Sequence, residues 1–137
     1  DAKNFEKRAD VMVAFFDSIE VAPGVHANGR MTLGENIADH GGLQVSYQAF
    51  KKATAAAPLE VKDGFTPEQR FFLAYANVWA NNTRPEAILQ LTKIDVHSLG
   101  KWRVDAALPH IAAWYEAFGI TEKDPMYVPV AERVSIW

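Results

Sequence analysis

The chain has 137 residues, 49% of them hydrophobic and 12% aromatic, and it carries a formal net charge of −3 with an isoelectric point near 5.8. This length suits one domain with a single core, the apolar share argues against disorder, and the dispersed basic residues argue against a nucleic-acid partner. No apolar run approaches the roughly 18 residues of a membrane span, and the absence of cysteine excludes disulfides and thiolate metal sites.

The first predicted element is an amphipathic helix over residues 4–19, because apolar side chains recur there at spacings of three and four. The turn dipeptides Pro23-Gly24 and Asn28-Gly29 then predict a loop or a short hairpin near residues 20–31. No other stretch of the chain carries a clear strand pattern, so the predicted class is all-α.

A second helix is predicted to begin at Thr32, because Thr32 and Glu35 have the spacing of a capping box. It ends before Pro58, and a polar linker over residues 59–65 follows. A third helix begins after Thr66, which is a favourable N-cap residue ahead of a proline. The body of this helix, FFLAYANVWANN, is apolar nearly all round, which predicts that it is buried.

The C-terminal third contains a predicted fourth helix from Pro85 to about residue 92 and a loop over residues 94–101. Residues 102–118 are predicted to be helical with an interruption at Pro109. Gly119 is a suitable C-cap, and the tail over residues 124–137, with two prolines, is predicted to be extended. The sequence thus predicts an irregular multi-helix bundle with an extended C-terminal tail.

The stretch GENIADHGG raises the question of function, because it places Glu35 and Asp39 one helical turn apart on one face. By spacing alone, the commonplace interpretation is that Glu35 closes the capping box and Asp39 faces solvent. The alternative is a metal ligand followed by an acid that orients a ligating histidine. The adjacent Gly41 and Gly42 favour the close approach of another element, because glycine destabilises a helix interior.

Local zinc chemistry is not complete in this sequence. None of its histidines forms the pattern H-E-x-x-H, which places two zinc ligands and a general base on one helix; they are His26, His40, His97 and His110. Any zinc site that includes Glu35 therefore needs ligands from elsewhere.

Four motifs occur in a fixed order: GENIADHGGLQVSYQAF, FFLAYANVWANNTRPE, DVHSLGKWRV and RVSIW. From about residue 28 to Trp137 they resemble the C-terminal end of the neprilysin and endothelin-converting-enzyme family of zinc metallopeptidases. The likeness is to bacterial oligopeptidases more than to animal ectoenzymes, since Ala80 and Ser135 stand where several members carry cysteine.

The resemblance implies that residues 1–137 are the C-terminal portion of a gluzincin-type catalytic domain. The helix with H-E-x-x-H is then expected upstream of Asp1, and a chain that opens without methionine is expected to be a fragment. His40 stands where the family often has asparagine.

The resemblance also implies roles for individual residues. Glu35 matches the third zinc ligand of the family, and Asp39 matches an acid that hydrogen-bonds a ligating histidine and is sometimes assigned as proton donor. The others match residues that contact the substrate or the reaction intermediate: His97 for the tetrahedral oxyanion, Arg103 for the substrate backbone carbonyl, and Val78 with Trp79 for the wall of the pocket after the scissile bond.

By spacing alone these four residues have ordinary interpretations. His97 is a solvated loop histidine, Arg103 stacks on the neighbouring Trp102, and Val78 and Trp79 are core residues whether or not they line a pocket. Only the resemblance favours the functional interpretation.

The leading hypothesis is a zinc metalloendopeptidase of small peptides that binds one Zn²⁺, with this segment inactive alone. The remaining ligands lie outside this chain, and the expected partners are peptide substrates and the N-terminal remainder of the same protein. We expect no nucleic acid and no membrane contact from this segment, in a bacterial periplasmic, envelope or secreted protein, with the cytoplasm left open. The alternatives are a non-catalytic helical domain that binds peptides or a partner, and a metal-free α-bundle.

Overall fold

A computed structural model describes residues 1–136, where the regular structure is helical apart from one hairpin. The helices are α1 (Ala2–Asp17), α2 (Gly29–Thr54), α3 (Pro67–Val78), α4 (Pro85–Ile94), α5 (Gly100–Asp105) and α6 (Ala112–Phe118). The antiparallel strands β1 (Glu20–Ala22) and β2 (Val25–His26) form the hairpin. The all-α prediction is confirmed. Within the described residues, no helix has both the length and the hydropathy of a membrane span.

Helix α2 lies between two apolar clusters and connects them. Its C-terminal half contributes Leu43 to a cluster with α3 and α6 that includes Phe72 and Trp114. Its N-terminal half packs through Leu33 and Ile37 on a second cluster, formed by α1, α5 and the C-terminal tail: Met12, Phe16, Ala106, Val134 and Ile136. These contacts fix which face of α2 is left for Glu35.

The start of α2 differs from the prediction. The helix begins at Gly29, and Asn28 is its N-cap, with Oδ1 accepting a hydrogen bond from the Met31 amide at 2.9 Å. Thr32 lies inside the helix, where its hydroxyl donates to the Asn28 carbonyl at 3.0 Å. The predicted capping box of Thr32 and Glu35 is therefore wrong, and Glu35 has no part in the helix cap.

Tertiary packing explains this earlier start. The Gly29 amide donates to Asp17 Oδ1 at 2.7 Å. A Cβ at Gly29 would lie 2.3 Å from the Val13 carbonyl oxygen, so only glycine lets α1 pack this closely against α2. A capping rule based on neighbouring residues cannot detect this contact.

Helix α3 starts as predicted but is not buried all round. The Thr66 hydroxyl accepts from the Gln69 amide at 3.2 Å, and Gln69 Oε1 accepts from the Thr66 amide at 3.0 Å. Phe72 is its one fully buried residue among those described, whereas Leu73 is 41% exposed and Val78 71% exposed. The predictions of a buried helix and of Val78 as a core residue are wrong, because an all-round apolar pattern does not specify which faces are covered.

The C-terminal region follows the prediction in outline. A 3-10 turn over Leu108–His110 separates α5 from α6, at the predicted interruption. Gly119 adopts the left-handed conformation, with φ of +64°, directly after α6. The tail contains one 3-10 turn, Val130–Glu132, and is otherwise irregular. We expect the tail to be held by packing, chiefly of Trp137, which lies outside the described residues.

Candidate active site

The predicted site residues come from three parts of the fold. Helix α2 supplies Glu35 and Asp39, α5 with the segment preceding it supplies His97 and Arg103, and the end of α3 supplies Val78 and Trp79. The structure brings Glu35 next to His97, and Asp39 next to Arg103. We call the first of these the open pair and the second the locked pair.

The locked pair is bidentate and nearly buried. Arg103 donates from Nε to Asp39 Oδ2 and from Nη2 to Asp39 Oδ1, both at 2.6 Å, and each side chain is only 13% exposed. These hydrogen bonds raise the pKa of the Arg103 guanidinium. Two parallel charge-assisted bonds fix the guanidinium plane as well as its position.

Two aromatic residues of α3 complete the surroundings of Arg103. The guanidinium carbon lies 3.8 Å from the centroid of the Trp79 ring, so Arg103 stacks on Trp79 rather than on Trp102. The Tyr75 hydroxyl donates to the Arg103 carbonyl at 2.8 Å. Burial, with the nearby charge of Asp39, raises the pKa of Tyr75 to about 12. Tyr75 therefore stays neutral and holds the backbone of α5 at this point.

The open pair is accessible to solvent. His97 Nε2 lies 3.3 Å from Glu35 Oε2, and the side chains are 46% and 40% exposed. Asp95 Oδ1 accepts hydrogen bonds from His97 Nδ1 at 2.7 Å and from the His97 amide at 2.9 Å. These bonds lower the pKa of Asp95. Because a carboxylate only accepts, Nδ1 carries a proton, and Nε2 is the atom that faces Glu35.

A buried amide connects the two elements of the open pair. Asn36 is 4% exposed, and its Nδ2 donates to Thr32 Oγ1 at 2.9 Å. Its Oδ1 accepts from the Ser98 hydroxyl at 2.7 Å. Asn36 follows Glu35 in sequence and Ser98 follows His97, so one chain of hydrogen bonds joins the helix and the segment that carry the open pair.

Three residues around the open pair carry little or no signal of their role in the sequence: Asp95, Asn36 and Ser98. Asp95 had a local signal, since an aspartate two residues before a histidine often forms a turn with its backbone. Asn36 had a weaker one, a polar residue beside Glu35 in a buried helix. Ser98 had none, because its partner is 62 residues away.

Helices α2 and α3 border an open groove beside the locked pair. It is lined mainly by apolar and small residues: Ala38, Asp39, Gly42, Leu43, Ser46, Phe71, Ala74, Tyr75 and Val78. A Cβ at Gly42 would meet nothing within 4 Å, so Gly42 faces this groove rather than a neighbouring helix of the described chain. The exposed Val78 lies at its edge. On the other side of Arg103, a second groove reaches Trp79, Asn81 and His97.

Two histidines lie beneath the locked pair. His40 is 1% exposed and His110 6%, their ring centroids are 6.2 Å apart, and both line a small cavity with Asp39 and Arg103. His110 Nδ1 accepts from the Val134 amide at 3.1 Å, whereas its Nε2 has no partner in the described part of the chain. Burial lowers the pKa of both rings, that of His110 to about 4. The surroundings of His40 and His110 therefore favour the neutral form of both imidazole rings.

The site residues can contribute to a zinc centre but do not complete one. No group of three or more His, Asp or Glu residues suited to a metal occurs among residues 1–136. Glu35 offers a carboxylate on an accessible surface. Each Asp39 oxygen accepts one bond from Arg103 and keeps a second lone pair, which is sufficient to accept a ligating histidine's N–H. These two residues fit one zinc ligand and one orienting carboxylate, with other ligands from outside.

Residues 1–134 match the family model described as Peptidase family M13. The chain is 36% identical over 140 residues to human membrane metallo-endopeptidase-like 1, and this match covers 98% of the chain and 18% of that protein. It is 32% identical over 137 residues to the neutral endopeptidase of Lactococcus lactis, covering 100% of the chain and 20% of that protein.

The fold has a near match among solved structures. In the crystal structure of the Mycobacterium tuberculosis zinc metalloprotease ZMP1 in complex with an inhibitor, the matching region has a TM-score of 0.94 and 28% identity. It covers 100% of this chain and 22% of that one. The chain thus spans about a fifth of the length of the proteins it resembles.

Proposed function

The chain belongs to peptidase family M13, and from this premise we propose that it is the C-terminal part of a zinc metalloendopeptidase that hydrolyses peptide bonds in small peptides. The observation that carries the proposal is the open pair, an accessible carboxylate 3.3 Å from an imidazole that Asp95 holds. Relatives named as endopeptidases and a neighbour named as a zinc metalloprotease support it.

Glu35 is proposed as one ligand of the zinc ion, with the others supplied by the N-terminal remainder of the protein. When bound, zinc polarises a peptide carbonyl and lowers the pKa of a bound water. Asp39 is proposed to accept a hydrogen bond from a ligating histidine and so to fix the orientation of its ring. This bond would use an Asp39 lone pair that Arg103 does not occupy. Because catalytic zinc needs three protein ligands, the segment alone is predicted to be inactive.

His97 is proposed to stabilise the negative charge that develops on the substrate carbonyl. Its Nδ1–H donates to Asp95, so Nε2 is the atom that faces that oxygen, and Nε2 donates to it when both ring nitrogens carry a proton. A pre-oriented donor stabilises a tetrahedral intermediate without reorganisation, and loss of one typically costs about 10²–10³-fold in rate. The contact of Nε2 with Glu35 keeps the ring turned towards the metal side of the site.

Arg103 is proposed to hold a substrate backbone carbonyl. Asp39 engages Nε and Nη2, and the third nitrogen, Nη1, has no hydrogen-bond partner within residues 1–136. Stacking on Trp79 keeps the plane in place, so that Nη1 is a donor of fixed direction.

Val78 and Trp79 are proposed to border the pocket for the residue after the scissile bond. Val78 is exposed at the edge of the groove between α2 and α3, and the lining of this groove is mainly apolar. A large apolar side chain is the substrate residue that this lining favours. A bacterial envelope, periplasmic or secreted location stays a prediction, which cell fractionation with an antibody to the protein would test.

The proposal is tested with Glu35→Gln in the full-length protein. We expect zinc content measured by mass spectrometry to fall, and peptide hydrolysis to drop to background. Glu6→Gln, which alters an exposed glutamate of α1, is the matched control and should change neither. Unchanged zinc content and activity in Glu35→Gln would remove Glu35 from the metal site. A full-length wild type that binds no zinc and cleaves no peptide would instead favour the binding module.

A further inference from the structure

We propose that Asn36 is a positioning residue, which sets the place of His97 relative to Glu35 through its hydrogen bond to Ser98. The proposal rests on the function proposed above, since it assigns the chemistry to His97. Asn36 touches neither His97 nor the proposed substrate path by any hydrogen bond of the described structure; its partners are Thr32 and Ser98.

The direction of every bond in this chain is determined. The Thr32 hydroxyl donates its one proton to the Asn28 carbonyl, so its oxygen must accept from Asn36 Nδ2. The amide nitrogen of Asn36 therefore faces Thr32, and its oxygen faces Ser98. A reversed amide would place its oxygen against the Thr32 oxygen, which has no proton left to donate, and burial to 4% makes this lost bond costly.

The segment that carries His97 is not closely packed along its whole length, because it borders a small cavity that Asn28, Thr32 and Trp102 also line. Its far end is anchored at Gly100, where a Cβ would lie 2.8 Å from the Trp79 carbonyl oxygen. Between the cavity and this anchor, the Ser98–Asn36 bond ties the segment to the helix of Glu35, and it is part-buried, whereas the contact of His97 with Glu35 is exposed to solvent.

The consequence is a specific kinetic signature for Ser98→Ala in the full-length protein. Loss of the bond lets His97 shift, so kcat for peptide hydrolysis should fall by about 10- to 100-fold. KM and zinc content should stay within about twofold, because neither Arg103 nor Glu35 depends on Ser98. Ser98→Thr keeps the hydroxyl and should recover most of the lost kcat.

A double-mutant cycle shows whether Ser98 acts through His97. His97→Ala is expected to lower kcat by about 10²–10³-fold. In that background, Ser98→Ala should cause less than a twofold further loss, since the group it positions is gone. If the two losses in kcat multiply in the double variant, or if kcat is unchanged in Ser98→Ala, the positioning role is overturned and the proposed function is unaffected. An unchanged kcat in His97→Ala with zinc bound would overturn the role proposed for His97 and with it the positioning role of Asn36. A full-length wild type without zinc and without activity would overturn the proposed function.

If Ser98→Ala fails to fold, two threonines of α2 test the same row of hydrogen bonds from the Thr32 side. Thr32 and Thr54 each donate to the carbonyl four residues earlier, at 3.0 and 2.9 Å, but only Thr32 also accepts from Asn36. Thr32→Val should lower kcat by about tenfold at unchanged zinc content, and Thr54→Val should leave it unchanged. Equal effects of the two substitutions would contradict the proposal.

Discussion

The open pair and the locked pair lie one turn apart on the same helix and have opposite surroundings. Glu35 is 40% exposed and meets a histidine at 3.3 Å, whereas Asp39 is 13% exposed and is held by an arginine at 2.6 Å through both oxygens. Exposed ion pairs contribute little to stability, whereas removal of one partner from a buried pair leaves an uncompensated charge. The fold should therefore depend on Asp39 much more than on Glu35.

The difference in exposure also suits the two pairs to different roles in the site. A group that binds a metal or a substrate must be accessible, and the open pair is. A group that orients others must be rigid, and the locked pair is held by hydrogen bonds, by the Trp79 ring and by the Tyr75 contact to the Arg103 backbone. One helical face can serve both purposes because Asp39 meets Arg103 of α5, whereas Glu35 meets the exposed His97 of the segment before α5.

Asp39→Asn should show the largest difference in stability between the locked pair and the open pair. It leaves the Arg103 charge without its carboxylate and should lower the stability of the zinc-free full-length protein by about 3 kcal/mol, the low end for a buried pair. Glu35→Gln, which changes the open pair in the same way, should stay within about 0.5 kcal/mol. Thermal melting of both zinc-free variants measures this difference, and equal shifts would show that burial does not distinguish the pairs.

Acid should lower the stability of the fold around the locked pair, because two buried histidines lie beneath that pair. The pKa of His110 is lowered to about 4, so between about pH 6.5 and 4 the unfolded chain binds more protons than the folded one. The contribution of neutral His110 to the free energy of unfolding is fully present above pH 6.5. As the pH is lowered, it decreases by about 1.4 kcal/mol per pH unit, which is about 2 kcal/mol at pH 5. The lowered pKa of His40 acts in the same direction.

His110→Asn tests this acid sensitivity. Asparagine keeps an acceptor for the Val134 amide but cannot be protonated in this range, so the melting temperature should fall less steeply between pH 6.5 and 5. Every other titratable group is present in both proteins, which makes the wild type the control. Parallel pH profiles for the two proteins would mean that His110 is not the group responsible.

The sequence predicts those features that depend on neighbouring residues. The Thr66 cap, the Gly119 end of α6 and the shared face of Glu35 and Asp39 all follow from spacings of a few residues. The locked pair joins positions 64 residues apart, and the Ser98–Asn36 bond 62, so neither has a local signal. The start of α2 was mispredicted for the same reason, since Gly29 is set by its contact with α1.

Gly100→Ala should disturb the segment that carries His97. A Cβ there would lie 2.6 Å from Asn81 Nδ2 and 2.8 Å from the Trp79 carbonyl oxygen, and the backbone oxygen cannot move without shifting α3. We expect a loss of about 1–2 kcal/mol together with lower kcat. Gly34→Ala is the control, because a Cβ at Gly34 meets nothing within 4 Å and alanine should gain about 0.5–1 kcal/mol in a helix. Similar melting temperatures for the two variants would contradict the close contact at Gly100.

Gly42→Ala has a small expected effect on stability and tests the groove beside the locked pair. Its Cβ has open space, so alanine should stabilise α2 by about 0.5–1 kcal/mol, as at Gly34. The new methyl group enters the groove proposed for the substrate side chain, and KM for peptides with a large apolar residue after the cleaved bond should rise by about tenfold. Gly34→Ala, outside the groove, should leave KM unchanged. A loss of stability in Gly42→Ala would instead show that another part of the full-length protein covers this glycine, and the pocket would have to lie elsewhere.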